Sequence, residues 1–143
     1  MKHFDRRLST IELRKQLKEL AILVGIKRIV YNKKAIYLDG SYCFYKKTMF
    51  LSLKQTKQKT LMTFFHELAH HVACTRGWWK TYHFNEVTNS KKAFIVENQI
   101  DRLAQKLWRR YVNQKIWGKY KFAYTTYNKR EQIKALNAVY GLE

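Results

Sequence analysis

The chain contains no proline, five glycines and two cysteines in 143 residues. Without proline or a Gly/Ser-rich stretch, nothing in the sequence marks a linker, so it is read as one domain over 1–143. Cys43 and Cys74 stand alone with no Cys-x-x-Cys, which excludes both a disulfide scaffold and an all-cysteine metal knot. Both read as small buried hydrophobes in a reducing cytoplasm. Long apolar runs are missing too: Leu20 to Val24, with Ile26 beyond Gly25, falls far short of the roughly 20 residues that span a bilayer. The start Met1-Lys2-His3-Phe4-Asp5 has no signal-peptide core, so the expected protein is soluble, cytoplasmic and without a membrane partner. Acids are scarce, 10 against 29 Lys and Arg, a net charge of +19 that attracts polyanions and makes nucleic acid a possible partner through a basic surface. Scarcity also means that any carboxylate on an apolar face needs a reason.

What is present is a globular composition, 46% hydrophobic and 15% aromatic, which excludes intrinsic disorder. Ser9 with Glu12 forms a capping box, Leu13, Leu17, Leu20 and Val24 follow at helical spacing, and Gly25 stops a helix over about 10–24. Short β-rich runs at Ile26–Tyr31, Ala35–Leu38, Tyr42–Lys46 and Thr48–Leu53, separated by Asn32-Lys33-Lys34 and Asp39-Gly40-Ser41, predict a small antiparallel sheet. Leu61, Phe65, Leu68 and Val72 then stripe a helix from about Lys57 to Thr75, closed by Gly77. A long helix from a Ser90 cap to about Trp117 and a last one from Asn128 through Tyr140 complete an α+β class.

The chemistry lies in Phe65-His66-Glu67-Leu68-Ala69-His70. Histidines four apart on a helix stack one turn above the other, so His66 and His70 present two imidazole nitrogens to one Zn2+ while Glu67 reaches its open position. Both fall opposite the apolar stripe, on the side that would face a cleft. With five histidines in the chain, the motif arises by accident in roughly one such sequence in a hundred. His71 points away from the pair and reads as a surface or supporting residue.

A catalytic zinc takes three protein ligands. His83 and Glu86 in the aromatic loop after Gly77 are candidates, as is Glu97 in the long helix. In that helix Phe94, Ile100, Leu103, Ala104, Leu107, Trp108 and Tyr111 define the buried arc, with Arg102, Lys106, Arg109 and Arg110 opposite. Glu97 and Asp101 lie inside the apolar arc, where two acids at i, i+4 are destabilising unless a cation or donor waits there. Glu97 is therefore expected as the third ligand and Asp101 as the acceptor that fixes one zinc histidine. The plainer alternative pairs both acids with basic residues at the arc's edge.

His66-Glu67-Leu68-Ala69-His70 followed by the Glu97-to-Asp101 spacing resembles the gluzincins, and more narrowly the ImmA/IrrE family of small metallopeptidases. Gln99 and Ile100 depart from the family's second motif, and the likeness spans roughly 48–107. The resemblance implies a zincin-like minimal domain, a small sheet packed on the motif helix with a long following helix. The activity it implies is zinc-dependent hydrolysis of peptide bonds in a specific protein substrate, with Glu67 moving the proton. A second resemblance, to SprT-like DNA-associated proteases, would make His83 the third ligand, although His83-Phe84 stands where that family has His-Gly. A third reading is a basic nucleic-acid-binding or regulatory module whose zinc site is not catalytic. Thr48–Leu53 would offer a strand edge to the substrate, and Tyr82 or His83 would face the oxyanion. Trp108-Arg109-Arg110-Tyr111 interleaves aromatic and basic residues, which suits either base stacking or helix packing.

Overall fold

A computed structural model describes residues 9–32, 40–76 and 90–112, with side chains in the last segment from 98 onward. The elements run α1 (Thr10–Leu23), β1 (Arg28–Asn32), β2 (Gly40–Cys43), β3 (Thr48–Ser52), α2 (Lys57–Thr75) and α3 (Ser90–Tyr111), an α+β arrangement. Ala35–Leu38, the loop after Gly77 and the last helix fall outside the described residues, and α3 ends at Tyr111 rather than near Trp117. None of the described helices is long and apolar enough to cross a membrane.

Local chemistry sets both ends of α1. The Ser9 hydroxyl accepts from the Glu12 amide at 3.2 Å. At the other end the Ile26 amide donates to the Ala21 carbonyl at 2.8 Å and the Gly25 amide to Ile22 at 3.1 Å, the 6→1 and 5→2 pair of a Schellman cap. Ile26 and Ala21 are both buried, which supplies the apolar contact that accompanies it. Gly25 holds φ +96°, and a β-carbon there would meet His71 Nε2 at an ordinary 3.5 Å. The penalty for Gly25→Ala is therefore backbone strain, expected to lower stability by about 1–2 kcal/mol as read from the urea midpoint.

The sheet is mixed, which corrects the antiparallel expectation. Strand order is β1-β3-β2, with β1 parallel to β3 (Arg28 opposite Thr48, Asn32 opposite Ser52) and β2 antiparallel to it (Gly40 opposite Leu51, Cys43 opposite Thr48). Burial explains the order. Four of the five β3 residues are buried, Met49 and Leu51 completely, whereas no residue of β1 or β2 is. A strand buried on both faces belongs in the centre, so β3 takes it, with β2, its neighbour in sequence, on one side and β1 on the other. Phe44–Lys47 make the β2–β3 turn, with Lys47 at φ 46° and its amide donating to Phe44 at 3.1 Å.

Gly40 is a strand residue rather than a spacer. A β-carbon there would sit 2.6 Å from Thr63 Cγ2 and 2.9 Å from the Phe50 carbonyl, so only glycine lets β2 press against α2 at this point. Leu13, Leu17 and Leu20 of α1, Met49 and Leu51 of β3, Leu61, Phe64, Phe65 and Leu68 of α2, and Ala104 and Trp108 of α3 form one core. Phe65 is its hub, edge-on to Phe64 and Trp108 at 5.4 and 5.7 Å and stacked on Tyr111 at 6.4 Å.

Candidate metal centre

The motif helix is anchored at its start before it presents anything. Thr56 caps α2, its hydroxyl accepting from the Lys59 amide at 3.1 Å. Gln55 ties that end to β3: its Nε2 donates to the Ser52 carbonyl at 3.1 Å, and its Oε1 accepts from the Thr63 hydroxyl at 3.1 Å. Thr63 lies one turn before His66 and Glu67, so the sheet fixes the helix at the level of the histidines.

His66 and His70 are half-buried, their ring centroids 5.0 Å apart and their planes at 74°. Two imidazoles sharing a tetrahedral ion at about 2.0–2.1 Å per nitrogen have centroids about 5 Å apart, so this pair has the spacing a divalent ion requires. Asp101 of α3, 2% exposed, places Oδ1 2.7 Å from His66 Nδ1. A carboxylate accepts only, so Nδ1 carries the proton and the lone pair lies on Nε2, the nitrogen through which such a histidine would bind a metal. The acid expected to fix a motif histidine thus lies on one, 35 residues away in sequence.

Glu67 is buried, at 6% exposure, and is not a solvated side chain. Glu97 sits one turn before Asp101 on the backbone of α3, but its side chain lies outside the described residues, as do His83, Glu86 and Tyr82. Among the described residues no three His, Cys, Asp or Glu side chains gather as a metal cage. The donor set that is described amounts to two imidazoles at a separation compatible with one ion, and a zinc site there would need a third ligand from outside the described residues.

One expectation is overturned, and for His71 the surface alternative falls. β3 is paired on both sides, so Thr48–Leu53 has no edge to offer; within the described strands the open edges belong to β1 and β2. His71 is not a surface residue but 1% exposed. Its Nε2–H donates to the Val24 carbonyl at the end of α1 at 2.7 Å, and its Nδ1 accepts from the Tyr42 hydroxyl of β2 at 2.5 Å. The carbonyl can only accept, which fixes this tautomer. Burial, with Lys47 nearby, pushes the His71 pKa down despite the Val24 bond, so the ring is held neutral. Tyr42 is pushed up in turn, by burial first and by Cys74 and Cys43 next. Cys74, buried and free, is raised to about 11 by burial and is an inert thiol at neutral pH.

His71 therefore ties α1, β2 and the motif helix together beside His70. The sequence holds a signal for it: Phe64 lies seven residues earlier, nearly two turns, on the same line of the helix. Adding Phe64 to the stripe widens the buried arc until it includes His71. Comparisons with protein-family models, with curated proteins and with solved structures find no match to this chain.

Proposed function

We propose that this chain is a zinc-dependent metallopeptidase that cuts a protein or peptide substrate in a reducing, cytoplasmic setting. The observation that carries the reading is the buried Asp101 carboxylate on Nδ1 of His66 at 2.7 Å. A carboxylate that fixes the tautomer and raises the basicity of a histidine is the usual support of a histidine metal ligand. Here it acts on a histidine whose partner one turn away has the matching separation.

His66 and His70 hold the ion in this reading, with Glu97 as third ligand and His83 as its rival. Zinc bound there would supply Lewis acidity, activating water and polarising the scissile carbonyl. Glu67 then accepts the proton of the attacking water and delivers it to the leaving amine, so that it ends the cycle as it began. Its burial keeps the carboxylate away from bulk solvent, where a proton would otherwise exchange. For an extended substrate the edge of β2 replaces that of β3, since Gly40 brings this strand onto α2 at Thr63, next to the histidines.

Protein purified without added metal is expected to carry about one equivalent of zinc, lost in His66→Ala and kept in Glu67→Gln. Glu67→Gln should reduce cleavage of a synthetic peptide library, read by mass spectrometry, by about 100- to 10,000-fold. Wild-type protein without zinc ends the proposal, and full cleavage by Glu67→Gln removes Glu67 from it. Zinc retained in Glu97→Gln but lost in His83→Ala would exchange the third ligand.

A further inference from the structure

The far side of α3 carries a second feature, unrelated to the histidines. Arg102, Lys106, Arg109 and Arg110 are all exposed; Arg102 and Arg109 lie opposite the buried Ile100, Lys106 stands beside them, and Arg110 sits at the edge of the buried arc with its guanidinium 5.4 Å from the Tyr111 ring centroid. Arg102, Lys106 and Arg109 follow at i, i+4 and i+7, a line about 10 Å long. Like charges at these spacings repel, and surface helices ordinarily relieve this with interleaved acids. None is interleaved here: between Arg102 and Arg110 there is no acid, and Asp101 is turned inward onto His66. Among the described side chains the only exposed acids are Glu12 and Glu19, both on α1.

We infer that this face of α3 is a binding site for the phosphodiester backbone of a nucleic acid, RNA or DNA. Four cations on a rigid helix gain affinity by releasing the counterions condensed on a phosphate chain. Three of the four are arginine, whose fork takes a phosphate with two parallel hydrogen bonds. An acidic protein is disfavoured by what the face lacks. Protein interfaces centre on apolar or aromatic anchors, and among the described residues the exposed large hydrophobics, Ile11, Ile22, Leu23 and Tyr45, all lie elsewhere. Trp108 is fully buried and Tyr111 is stacked on Phe65, so neither is available to stack on a base. The site reads the backbone and not the sequence.

The test uses the whole chain and fluorescently labelled 20-nucleotide single-stranded RNA, single-stranded DNA and duplex DNA of mixed sequence, with anisotropy measured across a salt series. Wild-type protein should bind at ~0.1 M salt, with log affinity falling linearly in log salt. Arg102→Gln/Lys106→Gln/Arg109→Gln should weaken binding on the order of tenfold or more and flatten the salt slope by about 2 on single strands. Lys15→Gln/Lys18→Gln/Lys27→Gln removes the same charge from the α1 side and should change affinity far less. The proposal fails if the two triple variants lose affinity equally, if the wild type does not bind, or if polyglutamate displaces the probe as readily as unlabelled nucleic acid does. Binding is scored without cleavage, so the outcome is independent of the peptidase.

Discussion

Trp108→Ala should lower the stability of the protein by about 3–5 kcal/mol, read as a shift of the urea midpoint, the most damaging single truncation in the described core. Trp108 is fully buried and packs edge-on against Phe65 at 5.7 Å, and Phe65 in turn holds Phe64 and Tyr111. Removing the indole leaves a cavity that α2 and α3 cannot close without moving toward each other, and that movement would disturb the His66–Asp101 contact, which adjoins Phe65 on α2 and lies two turns before Trp108 on α3. A domain of this size is stable by roughly 5–15 kcal/mol, so the loss takes a large share and the midpoint of thermal unfolding should drop by about 10–20 °C. Arg109→Ala, one residue along and exposed, should stay within about 0.5 kcal/mol of wild type. Equal effects of the two substitutions would mean that the α2–α3 packing described here is not what holds the domain together.

The parts of this fold that were readable in advance are those fixed by neighbours in sequence. The Ser9 cap, the glycine stop at Gly25 and the span of α2 from Lys57 to Thr75 each depend on a few consecutive residues, and each lies where the pattern put it. Strand order was not readable in this way. The runs that became β1, β2 and β3 look alike in composition, and what distinguishes β3 is burial on both faces, a property of its surroundings and not of its residues. Gly40 shows the same limit, since a glycine beside Asp39 signals a turn until a helix is known to lie 2.6 Å from where its β-carbon would be.

At the site, the contact between α3 and a motif histidine was legible because Asp101 sits among apolar residues on the helical wheel, and a buried carboxylate has to be answered by a donor. His71 was missed for the converse reason. Histidine carries no fixed preference for inside or outside, and the two groups that satisfy it, the Val24 carbonyl and the Tyr42 hydroxyl, come from segments 47 and 29 residues away. Sequence patterns report which side chains need partners more readily than which partners they find.

Asp101→Asn should weaken zinc binding by about 10–100-fold while leaving the helix in place. The asparagine is nearly the same shape and keeps an oxygen that accepts the His66 Nδ1 proton, so the ring orientation survives. What is lost is charge: a hydrogen bond to a carboxylate is roughly twice as strong as one to a neutral amide, and the imidazole becomes a poorer electron donor at Nε2. Asp101→Leu removes the acceptor as well, so the ring is free to change tautomer and to rotate, and zinc affinity should fall further. Competition with a chromophoric chelator reads both variants, and Arg102→Gln on the opposite face of α3 serves as the control, expected to bind zinc as the wild type does. A graded loss across aspartate, asparagine and leucine would show that the buried acid tunes the ligand and does more than pack beside it. If all three bind zinc alike, the Asp101–His66 bond belongs to the core alone, and the metal reading loses the observation on which it rests.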